Sequence, residues 1–184
     1  MKKTLIIIGS ARKGSSFGIG EYAEDYLSQM GIIVEKVQLS NYKIEYCDGC
    51  LTCDETGLCH KKDDVEKLLE KVKAADGIIF ISPTRWSLLS GDMKVFMDRW
   101  NPLAGRGVFD GKKSLVVSVG QTKIEESESI GRSLESLKFF SEDAGFDFVG
   151  EFAFEECLGV DDIKDKKSLF LAFAKLLEKY SKTL

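Results

Sequence analysis

Five short runs of apolar, largely β-branched residues, separated by stretches with helical spacing, leave this chain few folds to choose from. Thr4–Ile8, Ile32–Leu39, Gly77–Ser82, Lys113–Val119 and Asp147–Phe154 read as strands. The first is continuously apolar rather than alternating, as a strand covered on both faces must be. Between them, Ser16 to about Met30 places Ile19, Tyr22, Ala23, Tyr26 and Leu27 on one helical face, and Gly31 supplies a stop. Helices are also expected over Val65–Ala75, behind a capping Asp63-Asp64, and over Gly91–Trp100 and Glu128–Ala144. A last helix is expected from Asp161 or Asp162, with Leu169, Phe173, Leu176 and Leu177 facing inward. Strands that alternate with helices pair in parallel, because each return crosses over a helix.

Five strands and five helices in 184 residues fit one domain over residues 1–184. The expected architecture is an α/β, flavodoxin-like three-layer sandwich: a five-stranded parallel sheet in the order 2-1-3-4-5 with helices on both faces. In such a sheet, ligands sit beyond the carboxyl ends of the strands where the order reverses, which singles out the loops after strands one, three and four. The net charge of −4 and the lack of a basic stripe argue against a nucleic-acid partner. No apolar run approaches the roughly 20 residues that span a bilayer, so no membrane is expected. The N-terminal Thr4–Gly9 run is too short for a leader, and a cytoplasmic protein is expected.

Four of the five cysteines fall in one irregular loop after strand two (residues 45–62): Cys47, Cys50, Cys53 and Cys59, spaced C-x2-C-x2-C-x5-C. Thiolates are soft ligands for iron and zinc. Thiols at i, i+3 and i+6 with a fourth six residues later can converge on one cubane cluster. Zinc sites more often use two C-x2-C pairs far apart, and the proline that follows the last cysteine of two-cluster ferredoxins is missing. A single cluster is the simplest account; free or disulfide-bonded thiols and zinc are the alternatives. His60, the one histidine, adjoins Cys59 and reads as an exposed loop residue or an alternate ligand, and Cys157 as a packed or surface thiol. No Ser/His/Asp or Cys/His nucleophile arrangement can be assembled.

After strand one, Gly9-Ser10-Ala11-Arg12-Lys13-Gly14-Ser15-Ser16 combines turn-permitting glycines, hydroxyls and cations at a helix start, the ingredients of an anion cradle. It is not a P-loop, since Gly14 is followed by Ser15 rather than Lys. Gly18-Ile19-Gly20-Glu21-Tyr22-Ala23 matches G-x-G-x-x-A, but it falls some ten residues past the strand and is read as accidental. The cradle suits a monophosphate such as that of FMN, whose other half is a flat, stacking ring. After strand three, Pro83 fixes a turn, Trp86 offers a broad face to a ring, Thr84 and Ser87 offer hydrogen bonds, Arg85 offers positive charge, and Ser90 can cap the next helix. After strand four, Gly120 allows close backbone approach and Gln121 can pair with a ring edge.

Three segments together resemble the NADPH-dependent FMN reductase superfamily, and within it most closely the iron–sulfur flavoproteins. They are Gly9-Ser10-x-Arg12-x-Gly14-Ser15-Ser16, Cys47-x-Gly49-Cys50-x2-Cys53-x3-Gly57-x-Cys59 with Asp63-Asp64 behind it, and Ser82-Pro83-x2-Trp86-x3-Ser90-Gly91-x-Met93-Lys94-x-Phe96-x-Asp98-Arg99. The resemblance covers about residues 4–122. It implies FMN, with the phosphate on Ser10, Arg12, Gly14, Ser15 and Ser16 and the ring lined by Pro83, Thr84, Arg85, Trp86, Ser87, Gly120 and Gln121. It implies a [4Fe–4S] cluster on the four loop cysteines, although related flavoproteins carry a similar loop without one. Homo-dimers or homo-tetramers are implied as well. Ala11 stands where the family usually has proline, and Arg85 where many members have an aromatic residue.

The expected function is an FMN-dependent oxidoreductase that passes electrons between ferredoxin or NAD(P)H and a small acceptor, such as a quinone or an oxygen species, through the cluster. No catalytic side chain is assigned, because the flavin carries the chemistry. The alternatives are a non-catalytic electron carrier, an NAD(P)H-dependent FMN or quinone reductase without a cluster, and a zinc-stabilised protein with no flavin.

Overall fold

The computed structural model describes residues 1–184. Five strands, β1 (Lys3–Ile8), β2 (Ile33–Gln38), β3 (Gly77–Pro83), β4 (Lys113–Val119) and β5 (Asp147–Phe154), form one parallel sheet in the order β2-β1-β3-β4-β5. The expected strand order is therefore found. Side chains of successive strand residues point to opposite faces, so β1 sends Leu5 and Ile7 to one core and Ile6 and Ile8 to the other. The first core is closed by α3 (Val65–Ala74), α4 (Gly91–Asp98) and α5 (Ser129–Ala144), and the second by α1 (Ser15–Gln29) and α6 (Lys167–Thr183). β3, at the centre, is buried along all seven residues, which is why its sequence shows no polar alternation.

Glycines mark where helix and sheet come closest. A Cβ on Gly20 would stand 2.6 Å from Ile8 Cδ1. That is the packing reason for one glycine of the G-x-G-x-x-A match, which lies wholly inside α1. A Cβ on Gly77 would collide with the Tyr180 hydroxyl, which shares a 3.2 Å hydrogen bond with Thr4. Burial pushes the Tyr180 phenol well above its usual range. Around Trp100, Phe109 stacks at 5.3 Å and Phe96 and Phe140 pack edge-on at 5.6 and 5.2 Å.

Three local features differ from expectation. The cysteine loop contains a short helix, α2 (Thr52–Thr56), too brief to show periodicity. The last helix begins at Lys167 because the Asp162 carboxylate accepts N–H groups of Leu158 and Gly159 at 2.8 and 2.7 Å and supports a separate 3₁₀ turn over Asp162–Asp165. Asp64 occupies the N-cap position of α3, yet its side chain does not cap. Asp63 instead takes the Val65 N–H at 3.1 Å, and its carboxylate serves an ion pair described below. No helix is long and apolar enough to cross a membrane.

Candidate functional site

The carboxyl ends of β1, β3 and β4 open onto a cleft of about 410 Å³. Its walls are hydrogen-bonded continuations of the sheet: Gly9 N–H reaches the Ile81 carbonyl at 2.9 Å, Thr84 N–H reaches Val119 at 2.8 Å, and Gly120 N–H reaches Phe154 at 3.0 Å. Of the twelve residues expected to hold a flavin, all but Gly14 line this cleft. Gly14 sits just outside as the N-cap of α1, with only ordinary contacts around a hypothetical Cβ.

One end of the cleft is the start of α1. No side chain caps this helix; the Phe17 N–H turns back to the Gly14 carbonyl at 3.0 Å, and the Ser15 and Ser16 N–H groups stay available beside their own hydroxyls. Ser10 is buried and fixed from both sides: its hydroxyl donates to the Arg12 carbonyl at 3.2 Å, and its own carbonyl accepts from Gln38 at 2.8 Å. Arg12 is exposed over the same opening. The arrangement offers backbone donors, hydroxyls and a cation to one anion.

A second wall is built by residues 83–87, and the same segment runs on to Ser90. Arg85 and Leu88 exchange both backbone hydrogen bonds, at 2.8 and 3.0 Å, and close a two-residue hairpin whose tip is Trp86 and Ser87. Both tip residues have positive φ, +48° and +61°, the signature of a type I′ turn. That turn normally takes Asn or Gly, so two L-residues with large or polar side chains are held here under strain. The Trp86 side chain is wholly exposed. Arg85 folds back to the Thr84 carbonyl at 3.1 Å. The hairpin is anchored by Ser82 Oγ, which accepts the Ser90 N–H at 3.0 Å, while Ser90 Oγ caps α4 at Met93 N–H, 3.3 Å, as expected.

Gly120 has a different reason from the one its sequence suggests. A Cβ there would meet Ile130 Cδ1 at 2.6 Å, so the close approach that demands glycine is that of α5 rather than of a ligand alone. Sequence reasoning missed Val119, Thr122, Ser127, Ser129 and Cys157, which also line the cleft. Ser127 and Ser129 were legible as polar residues at a helix start on the same sheet edge. Cys157 is buried, its N–H bonded to the Gly120 carbonyl at 2.9 Å, and burial raises its thiol pKa.

The cysteine loop and the foot of the 85–88 hairpin line a common groove. Cys47 and Leu88 share the wall of a second, larger groove of about 860 Å³ with Met97, Phe139 and Phe140. All four thiols are free; Cys53 is buried, Cys47 and Cys59 are half-buried and Cys50 is exposed. Gly49, Leu51 and Gly57 adopt left-handed backbone conformations, with φ of +70°, +62° and +72°, and turn the chain back on itself between the thiols. Burial, with Asp54 alongside, pushes the Cys53 thiol upward. Cys59 Sγ accepts a 3.3 Å hydrogen bond from Arg99. His60 turns away to Asp48 at 3.1 Å, and these two with Cys50 form the one trio of ligating side chains whose donor atoms lie within 4.8 Å of one another. All three are exposed, a common surface grouping. No three of the cysteine sulfurs are that close, a looser set than a mononuclear zinc with bonds of about 2.3 Å would draw together.

Residues 2–132 match the profile of the NADPH-dependent FMN reductase family. The chain belongs to this family. Among its relatives are an iron–sulfur flavoprotein of Archaeoglobus fulgidus, 39% identical over 67% of this chain and 58% of the relative, and one of Methanocaldococcus jannaschii, 34% identical over 66% and 63%. The chain thus spans about three-fifths of the length of these relatives. Solved structures with the same fold include an NAD(P)H:quinone oxidoreductase from Methanothermobacter marburgensis, with TM-score 0.77 and 20% identity over 96% of this chain and 97% of that one. A flavone reductase superimposes with TM-score 0.78 at 22% identity, over 98% of this chain and 62% of that one.

Proposed function

We propose that this member of the FMN reductase family is an FMN-dependent oxidoreductase that moves electrons between ferredoxin or NAD(P)H and a small acceptor such as a quinone or oxygen species, with a [4Fe–4S] cluster on Cys47, Cys50, Cys53 and Cys59. The observation that carries the reading is that an uncapped helix start and an exposed indole line one and the same cleft. A monophosphate fits the first, and a flat ring system fits the second.

Bound FMN accepts two electrons as hydride and releases them singly, which lets it serve both kinds of partner. The protein's part is to bind and orient. Ser10, Ser15, Ser16 and the α1 amides hold the phosphate, and Arg12 neutralises it. Thr84, Ser87, Gln121 and the backbone at Pro83 and Gly120 face the ring edge. Trp86 supplies a stacking face, and Arg85 supplies positive charge for the reduced ring. The four unpaired soft thiols suit iron, and a groove lined by both Cys47 and Leu88, the residue that closes the Trp86–Ser87 hairpin, supports a cluster near the ring. The same relatives' names support the cluster. A homo-oligomeric, cytoplasmic protein completes the reading.

Anaerobically purified protein tests it. FMN should bind stoichiometrically and quench, riboflavin should bind far more weakly, and Arg12→Ala should lose at least tenfold in FMN affinity. Equal affinity for the two flavins would overturn the phosphate assignment. About four iron per chain is expected with one cluster. Steady-state quinone reduction by NAD(P)H or reduced ferredoxin is expected; fast exchange with a protein donor but no turnover would make the chain a carrier instead.

A further inference from the structure

We infer that Arg99 is a positioning residue for the metal centre: it fixes Cys59 and, through a hydrogen bond to that sulfur, raises the reduction potential of the cluster. The inference rests on the cluster reading above. Arg99 follows α4 directly, at the opposite end from the Ser90 cap, and its side chain is 1% exposed against an Asp63 carboxylate that is also 1% exposed. Nη1 donates to Asp63 Oδ2 and to the Glu45 carbonyl, both at 2.6 Å, and Nη2 donates to Asp63 Oδ1 at 3.2 Å and to Cys59 Sγ at 3.3 Å. One guanidinium therefore ties together the start of the cysteine loop, its last thiol and the residue that follows the loop.

A structural ion pair alone does not account for this geometry. Asp63 already receives the N–H groups of Glu45 and Val65, at 2.9 and 3.1 Å, and would be satisfied by one further donor. The planar fork of Arg instead gives the second N–H of Nη2 to sulfur, something the point charge of Lys cannot do while also reaching Asp63 and Glu45. The two-pronged contact between Arg99 and Asp63 offsets the burial of both charges. A donor on a ligating sulfur withdraws electron density and favours the reduced cluster.

Arg106, on the same segment, supplies the contrast. It donates to the backbone carbonyls of Cys53 and Asp54, at 3.2 and 3.4 Å, and touches no sulfur. It anchors the loop without entering the ligand set.

The test is a redox titration of anaerobic protein, following the cluster by electron paramagnetic resonance and the flavin by its visible bands in the same sample. Arg99→Lys keeps the charge beside Asp63 and should shift the cluster potential to more negative values while the flavin potential stays put. Arg106→Ala should leave both potentials unchanged, even if iron is lost faster. Should Arg99→Lys not fold, the double variant Arg99→Leu with Asp63→Leu removes both charges together, and the same negative shift is expected. An unchanged cluster potential in an iron-loaded Arg99 variant, or an equal shift in Arg106→Ala, overturns the role of Arg99 and spares the cluster. Wild-type protein without iron or sulfide overturns the cluster reading and the Arg99 role with it.

Discussion

At Ser87 the backbone adopts φ +61°, which costs a serine on the order of 1 kcal/mol that glycine would not incur. Glycine gives back part of that gain through the larger entropy of its unfolded chain. Ser87→Gly should therefore raise Tm by a small amount, about 1–3 °C for a chain of this size, in a scan of the flavin-free protein. A fall in Tm would mean that the hairpin tip adopts another turn without ligand. Gly120→Ala presses a methyl against Ile130 and should destabilise the protein by roughly 1–3 kcal/mol, measured as a lower urea midpoint at unchanged slope. The sequence marked Gly120 for its place at the cleft but did not show the packing that also demands glycine there. Its loop is visible from the strand pattern, whereas α5 packing across it is a tertiary fact with no local signature. Cys157 was harder still, because a single thiol in Glu155-Glu156-Cys157-Leu158 carries no pattern that says which side it faces.

At the scale of elements, α4 joins the two candidate sites. Its eight residues, about 12 Å of helix, run from the Ser90 cap beside Pro83 to Arg99 beneath the cysteine loop. Ser90→Ala removes the cap and leaves Ser82 without its hydroxyl neighbour. It should cost about 1 kcal/mol in chemical denaturation and speed hydrogen exchange in the first turn of α4 before that of β3. No measurable loss would show that α4 is held by core packing alone. The helices and strands were legible because apolar periodicity is long-range in each. α2 was not, since five residues in a loop shaped by left-handed Gly49, Leu51 and Gly57 have no period to read. Asp63-Asp64 was half legible: Asp63 takes the first amide of α3 while Asp64 does not cap, and a carboxylate before a helix gives no sign that it also pairs with a distant arginine.

For the whole molecule, the carboxylates that bind it together share one sign. Lys71, with Lys3 nearby, holds Glu35 below its ordinary value. The Lys3 N–H does the same for Asp76. At Asp63, burial opposes ionisation but the Arg99 contacts and two backbone N–H groups prevail. With folded-state pKa values lowered, the unfolded chain takes up protons first as pH falls. Their contribution is fully present above the ordinary carboxylate range of about 3.9–4.3 and disappears as pH drops through the lowered values. Urea midpoints should be flat with respect to these groups from pH 7 to about 5 and fall steeply below about 4. Asp63→Asn should flatten part of that fall, although it leaves Arg99 buried without its counter-charge and costs about 3–5 kcal/mol at neutral pH. A wild-type acid transition as steep in Asp63→Asn would mean the pair is not what acid breaks.

Two tryptophans sit in opposite surroundings: Trp100 is sealed among Phe80, Phe96, Phe109 and Phe140, and Trp86 stands in water at the hairpin tip. The protein should therefore carry two optical probes with separable colours, a blue emitter indifferent to small solutes and a red one that iodide quenches. A chromophore entering the cleft should extinguish the red component first. That lets occupancy be followed in an unlabelled sample, and the Trp86→Phe variant should remove the component altogether.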